Sequence, residues 1–396
     1  MFINNSDVKI ITGKLNPTLR PFSIFNSKVV EFLNELSNFI ISDLESKKHT
    51  DLITFAFWCR KSNINKISKQ YILESSIGRG TALHITPSNI PMNFAYSFAF
   101  GLLSGNYNIV RLPKKKFDQI TLLCNIINKI CNKKKYKEIL NKFCFITYFR
   151  SDNISQKLSS ISDARLIWGG NRTIENFKGY LTPPRCVDLY FADRHSISII
   201  NSSALKKLNE KEFKNFLKKF YNDAFLMDQQ GCSSPQAVIW LKSGKIENII
   251  EKFWKDLNSI VLKNYITDLS TINSKYLSLN DLALTTQIKF KRKKSNFNIV
   301  RLDSKKPNKD LDDIKCNFGT FMEFSIDNVN QIEKIISKKT QTLSYFGCNP
   351  SLLKNLIISK GLKGVDRIVP IGRSNDMGHI WDGYDIIGSL SRKIGE

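Results

Sequence analysis

At 396 residues the chain exceeds what one hydrophobic core usually supports, so two or three lobes are expected. A composition of 42% hydrophobic and 24% charged residues excludes a disordered chain, and the longest apolar stretch, Phe94 to Leu103, falls short of the roughly 20 residues that span a bilayer. The formal charge of +25 would suit an acidic partner, but lysine is spread along the whole chain, and the clusters at Lys114 to Lys116, Lys133 to Lys135 and Lys289 to Lys294 lack the interleaved aromatics of a base-stacking platform, so no nucleic-acid partner is expected.

Eight cysteines (59, 124, 131, 144, 186, 232, 316 and 348) occur without Cys-x-x-Cys spacing, beside only four histidines, so neither a metal site nor a disulfide framework is expected. The start, Met1 to Lys9, has no basic segment followed by an apolar one. No signal peptide or transmembrane segment is therefore read, and the cytoplasm is the expected compartment.

In chain order, residues 1–75 read as a helical lead-in, with apolar residues at helical spacing from Val29 to Ile41 and a second segment from Leu52 to Cys59. From 76 to 200 strand and helix alternate. Ala82 to Ile85 is a strand, Thr86 to Pro91 a turn, and Met92 to Leu103 a helix with Pro91 suited to a first helical position. Strands at Ile109 to Leu112, Phe143 to Tyr148, Ala164 to Trp168 and Val187 to Phe191 follow, separated by helices at Phe117 to Cys131, after Ser151 and after the turn Gly169-Gly170-Asn171. Five such alternations predict an α/β fold with a doubly wound parallel sheet that binds ligands at the carboxyl ends of its strands.

A second series fills 201–375, with the lobe boundary near 200. Strands are expected at Ile197 to Ile200, Ala237 to Leu241, Phe318 to Phe324 and Leu343 to Phe346, and helices at Glu210 to Phe225, Lys245 to Lys263, Val329 to Ser337 and Pro350 to Ser359. The run Lys289 to Lys294 and its surroundings read as a solvated loop, and 376–396 as a C-terminal segment that is a candidate for oligomerisation.

Within the second lobe, Asp228-Gln229-Gln230-Gly231-Cys232-Ser233-Ser234-Pro235-Gln236 places a thiol between a helix and a strand, after a glycine and before two serines and a proline. A thiolate both attacks a carbonyl and leaves a tetrahedral adduct, so one cysteine can capture and release an acyl group. An isolated cysteine is more often a small buried hydrophobe, and its surroundings must decide between the two.

Those surroundings resemble a known superfamily. Ile85-Thr86-Pro87-Ser88-Asn89-Ile90-Pro91 resembles the Pro-x-Asn-x-Pro turn of the aldehyde dehydrogenases. Leu103-Ser104-Gly105-Asn106, Val110-Arg111-Leu112-Pro113, Trp168-Gly169-Gly170-Asn171 and Gln230-Gly231-Cys232 follow in that superfamily's order. Gln230 to Gln236, with Arg367-Ile368-Val369-Pro370-Ile371-Gly372 and Trp381-Asp382-Gly383-Tyr384, is more closely similar to the acyl-CoA reductase family of bacterial luminescence (LuxC-like), over roughly residues 75–396.

The resemblance implies an aldehyde-dehydrogenase-like fold of two doubly wound α/β lobes with the active site between them, reducing a long-chain fatty acyl-CoA or acyl thioester to the aldehyde with NADPH. It implies Cys232 as nucleophile and the Asn89 amide, with the backbone N–H of Cys232, as the oxyanion donors. Thr86, Arg111, Pro113, Gly169, Gly170 and Asn171 would line the cofactor, with Arg111 or Lys114 pairing with its ribose or a 2′-phosphate. Taken singly, Asn89 reads better as a helix cap and Gly169-Gly170 as an ordinary turn; taken together, the motifs favour a cofactor site. Self-association and transfer from an acyl-activating synthetase are implied as well.

Two departures are informative. Between Gly170 and Cys232 the only glutamates are Glu175, Glu210 and Glu212, none on the Val187 to Phe191 strand where a hydrolytic aldehyde dehydrogenase keeps the base that activates water. A reductase releasing aldehyde has no use for that water. The glutamate expected before a Phe-Gly pair is also absent, since Cys316-Asn317 precedes Phe318-Gly319. Two other classes remain open: a thiol acyltransferase or thioesterase in which Cys232 works with His195 or His379 without nucleotide, and a basic, non-catalytic binding protein.

Overall fold

Residues 8–17, 20–149, 151–265, 269–285, 289–290, 298–303 and 307–395 are described in a computed structural model. The chain divides into two compact units, residues 1–192 with 377–396, and residues 193–376.

The first unit begins with β1 (Lys9–Gly13), α1 (Ser27–Ser42), α2 (Thr50–Trp58), α3 (Lys61–Ser68) and β2 (Ser76–Gly78). The alternating series follows: β3 (Thr81–Ile85), α4 (Asn93–Leu103), β4 (Tyr107–Arg111), α5 (Asp118–Cys131), α6 (Lys137–Leu140) and β5 (Phe143–Thr147). It closes with α7 (Asp152–Ser160), β6 (Ala164–Trp168), α8 (Asn171–Lys178) and β7 (Val187–Phe191). Its sheet has the order β1-β5-β4-β3-β6-β7, parallel except where β1 runs against β5.

The sheet is covered on both faces, which is why β3 and β6 are buried at every position, His84 and Arg165 included. Helix α4 is buried at all eleven residues, so it is apolar all round instead of amphipathic. From β3 the chain adds β4 and β5 on one side, then crosses back to lay down β6 and β7 on the other. The order therefore reverses between β3 and β6, the position at which sheets of this kind bind ligands at their carboxyl ends.

Here the unit differs from the division drawn on sequence. Residues 1–75 are not merely a helical lead-in, because β1 is a strand of the main sheet and Phe32, Leu33 and Leu36 of α1 lie in the unit's core. The C-terminal residues also return to this unit. Ser391–Lys393 pairs with β2, and Ile386, Ile387 and Leu390 join the same core, which burial favours over a detached tail. Pro91 lies in a turn two residues before the start of α4 at Asn93, not at its first helical position.

The second unit holds β8 (His195–Asn201), α9 (Ser202–Lys206), α10 (Glu210–Phe225), β9 (Pro235–Leu241), α11 (Glu247–Asn264) and α12 (Leu269–Thr285). Then come β10 (Lys289–Phe290), β11 (Val300–Asp303), α13 (Pro307–Asp313), β12 (Thr320–Ile326), β13 (Thr340–Phe346), α14 (Pro350–Ser359) and β14 (Arg367–Pro370). The sheet order is β10-β11-β12-β9-β8-β13-β14, parallel apart from β10. The expected helix over Val329 to Ser337 is instead a short 3-10 turn, Val329–Lys334, with Ile332 alone buried. Of the expected loop at Lys289 to Lys294, the first two residues form β10 and the rest lie outside the described residues.

Helix α10 shows how local rules set an element that the site depends on. The Asn209 side chain accepts from Glu212 N while the Glu212 carboxylate accepts from Asn209 N, both at 3.0 Å, so the start is capped reciprocally. Phe213, Phe216, Leu217, Phe220, Ala224 and Phe225 then form one buried stripe. Across this core, Arg301 on β11 grips Glu323 on β12 at 3.0 and 2.9 Å, and Glu323 also accepts the indole N–H of Trp240 (2.7 Å) and Trp254 (2.8 Å).

Candidate active site

Six sequence-predicted cofactor residues and Asn89 follow three neighbouring strands of the first unit. Thr86 and Asn89 leave β3, Arg111 ends β4 with Pro113 just beyond, and Gly169, Gly170 and Asn171 leave β6. All sit on the carboxyl edge, on either side of the reversal between β3 and β6. Thr86 Oγ1 donates to Arg111 O at 2.7 Å, tying the two exits together, and the Arg111 guanidinium lies 4.3 Å from the centroid of the Tyr148 ring.

Gly169 N donates to Phe191 O (3.2 Å), and a Cβ on Gly169 would press within 3.1 Å of Thr173. Gly170 is the N-cap of α8, whose first turn holds no acidic side chain and begins at the exposed Asn171. Asn89 is exposed in the bend before α4, and the cap of that helix is Met92.

On β7, the strand on which the resemblance would place a hydrolytic relative's glutamate, this chain has Asp188, paired in register with Arg165. Burial would raise the Asp188 carboxyl, but the bonds from Arg165 (2.7 and 2.6 Å) and from the Tyr190 hydroxyl outweigh it and hold it below the ordinary range. A carboxylate so engaged is a poor base. Glu212 is spent on the α10 cap, and it stands at the helix start about 20 Å from the end that leads to Cys232.

In the second unit Cys232 lies half-buried in the turn between α10 and β9, at the amino end of that strand. The turn is fastened mainly by side chains. Asp228 and Gln229 both adopt left-handed backbone (φ 52° and 55°), a conformation that costs a non-glycine residue energy and needs external support. Gln229 supplies that support. Its side chain, fully buried, accepts from Gly319 N (2.7 Å) and Thr320 N (3.1 Å) and donates to Pro235 O (2.9 Å) and Thr320 O (3.0 Å).

The Cys232 carbonyl accepts from Ser196 Oγ (2.6 Å), which in turn accepts from Thr342 N (3.1 Å). Phe318 N donates to Asp228 O (3.1 Å), so the Phe-Gly pair picked out by sequence abuts this turn, although no glutamate precedes it. Gln229 and Ser196 were not singled out from sequence. A glutamine beside a motif cysteine carries no signal of its own until its partners on β12 are known.

The other seven cysteines are unsuited to nucleophilic work at neutral pH. Burial pushes the thiols of Cys131, Cys144 and Cys316 up to about 12, those of Cys124, Cys186 and Cys348 up to about 11, and raises that of Cys59 well above its ordinary value. The two histidines considered as partners are otherwise engaged. His195 is buried, its Nε2 3.1 Å from Thr340 Oγ1, and burial lowers its pKa to about 4. His379 belongs to the first unit, where its Nε2 faces Gln70 at 3.1 Å and burial lowers its pKa.

Several solved structures share this fold. Aldehyde dehydrogenase 21 from Physcomitrella patens, in complex with the product succinate, aligns at a TM-score of 0.64 with 11% identity, covering 92% of this chain and 84% of that one. Succinic semialdehyde dehydrogenase from Streptococcus pyogenes, complexed with NADP+, aligns at 0.64 with 12% identity over 96% of this chain and 98% of that one. NADP-dependent glyceraldehyde-3-phosphate dehydrogenase from Bacillus halodurans C-125, complexed with NADP, gives 0.59 with 14% identity over 93% and 83%. No curated protein matches the sequence. Among the described residues no helix is long and apolar enough to cross a membrane. The sequence profile of the family described as acyl-CoA reductase (LuxC) matches residues 63–393, and the chain therefore belongs to that family, as an oxidoreductase acting on acyl and aldehyde groups within the aldehyde dehydrogenase fold.

Proposed function

We propose that this enzyme reduces a long-chain fatty acyl thioester, acyl-CoA or acyl-protein, to the aldehyde with NADPH, carrying the acyl group on Cys232. The observation that carries the reading is the cysteine turn: Cys232 sits half-buried at the amino end of a strand, on a turn braced by Ser196 and Gln229. In this reading the Cys232 thiolate attacks the thioester carbonyl and the CoA thiolate leaves, needing little acid assistance because a thiol pKa lies near about 8.5. The Asn89 amide and the Cys232 backbone N–H donate to the oxyanion.

NADPH, when bound, supplies the hydride that reduces the acyl carbon held on Cys232. Expulsion of the sulfur then releases aldehyde and restores the thiolate. The carboxyl edge at the β3/β6 reversal suits a dinucleotide. Gly169 leaves its backbone open to close approach, the start of α8 offers N–H groups without a competing carboxylate, and Arg111 with Lys114 supplies positive charge for a 2′-phosphate. That charge is the ground for preferring NADPH over NADH. Asp188, locked by Arg165, leaves the acyl-enzyme without a water-activating base on β7, which favours aldehyde over acid as product.

The reading extends to a cytoplasmic, self-associating protein, with residues 376–396 taking part in the contact, supplied by an acyl-activating synthetase. Eight free cysteines suit a reducing compartment. The test is NADPH oxidation followed by absorbance with saturated acyl-CoAs of graded length, comparing native protein with Cys232→Ala and Asn89→Ala. Aldehyde formation that vanishes in Cys232→Ala and drops about 10²-fold in Asn89→Ala is expected. Release of CoA without nucleotide consumption would replace this reading by a thioesterase or acyltransferase.

A further inference from the structure

The last turn of α10 carries a carboxylate that is only 1% exposed, Asp223. Its oxygens take three donors from a loop far along the chain: Gly372 N (2.6 Å) and Ser374 Oγ (2.9 Å) on Oδ2, and Ser374 N (3.0 Å) on Oδ1. The loop lies flat on the helix. Gly372 is left-handed (φ 97°), and a Cβ there would come within 2.8 Å of the Lys219 side chain.

The next residue of the loop links this anchor to the cysteine turn. Asn375 Nδ2 donates to Asn222 O (3.1 Å) and Asp223 O (3.3 Å), carbonyls in the last turn of the helix, while its Oδ1 accepts from Ser233 Oγ (3.0 Å). Ser233 is 4% exposed and directly follows Cys232, whose carbonyl is pinned on its other side by Ser196. From β14, Arg367 secures the far end of the loop, donating to Ser374 O (3.0 Å) and Asp376 O (2.8 Å).

We infer that residues 372–376 are a positioning device for the nucleophile turn, in which Asn375, seated on α10 by Asp223, holds Ser233 and so fixes the backbone that presents Cys232. The inference rests on Cys232 being the nucleophile. The turn from 226 to 234 has no strand ladder to define it, so its geometry depends on the side chains that grip it, and a misplacement of the order of 1 Å at a reacting centre can cost about 10²-fold. The anchor comes at a cost that a merely decorative loop would not justify. Burial pushes the Asp223 carboxyl up to about 6 against the pull of its three donors, and nearby Asp376 pushes the same way. The other charges around it are Lys219, Arg367 and Arg373, the last paired with Asp376 at 2.7 Å.

Two small substitutions test the device: Ser233→Ala and Asn375→Ala, singly and together, with Cys232→Ala and the conservative core change Ile332→Val as references. Turnover with the best of a graded series of saturated acyl-CoAs is measured beside the rate at which iodoacetamide alkylates Cys232, followed by mass spectrometry. Each single variant is expected to lower kcat about five- to thirtyfold with KM within about twofold, and the pair to be no worse than the poorer single, because both break the same Ser233–Asn375 bond. The alkylation rate of Cys232 changes in the same variants and stays native in Ile332→Val, whatever the shift in thermal midpoint.

Native kcat and native alkylation in Ser233→Ala, or additive losses in the double variant, would overturn the inference. Should Asn375→Ala not fold, Ser233→Ala compared with Ser233→Thr, which restores the hydroxyl, decides the matter. Activity that survives in Cys232→Ala would instead sink the nucleophile reading. A dead Cys232→Ala beside an unaffected Ser233→Ala would sink the positioning role alone.

Discussion

Replacing Gln229 with alanine should destabilise the second unit by about 3–5 kcal/mol. The side chain is fully buried and makes four bonds to backbone groups at 2.7–3.1 Å, each contributing on the order of 1 kcal/mol net. Its loss leaves Gly319 N and Pro235 O without that partner in a buried site, which adds the cost of an orphaned group. The left-handed backbone at Asp228 and residue 229 then loses its support, so the turn presenting Cys232 relaxes as well.

The assay is urea unfolding followed by tryptophan fluorescence, since Trp240 and Trp254 lie in the core of the same unit, with Cys232 alkylation on the folded protein as the local readout. Gln229→Glu sharpens the comparison. A protonated glutamic acid keeps one donor for Pro235 O or Thr320 O, but its carboxylate has none, so that variant should lose further stability as pH rises. A loss below about 1 kcal/mol in Gln229→Ala, with native alkylation, would refute the claim that this side chain shapes the turn.

Three other outcomes are expected. Asp223 titrates near about 6 in the fold against 3.8 unfolded, so the folded state binds the proton more tightly, and stability falls by about 3 kcal/mol as pH rises from below 4 to above 6; Asp223→Asn should abolish that slope in urea midpoints, and an unchanged slope would reject the assignment. Arg301→Met strands the buried Glu323 carboxylate among two indoles and should cost about 3–5 kcal/mol, whereas Arg301→Met with Glu323→Leu should recover much of it; equal losses in the two would show that the pair is not what matters. Gly169→Val should weaken NADPH binding, read from nucleotide fluorescence, more than it lowers the thermal midpoint, because its side chain would press on Thr173 at the edge proposed for the cofactor; native affinity would move the cofactor elsewhere.

Much of the architecture follows from patterns that act over a few residues. The strands Ala164–Trp168 and Val187–Phe191 and the helices Glu210–Phe225 and Pro350–Ser359 have the bounds that periodicity and capping assign them, because burial of one stripe and satisfaction of one helix end are local requirements. The order of the motifs placed Cys232 between a helix and a strand for the same reason. The resemblance to acyl-CoA reductases was carried by short runs that need no fold to be read.

What tertiary structure decided depends on partners distant in sequence. Strand β1 is a five-residue stretch that pairs with β5, about 130 residues later, so no local pattern marks it. The C-terminal residues rejoin the first unit because β2 and the core around α4 offer them burial, and the two halves of the chain cannot declare that separately. The grip on the cysteine turn is of the same kind: Gln229 finds β12, Ser196 comes from β8, and Asn375 arrives from a loop some 140 residues downstream. Sequence singled out the thiol proposed as nucleophile, since such a candidate is marked by one residue and its neighbours. Holding it in place is a property of the groups that surround it in space, and only the packed chain brings those together.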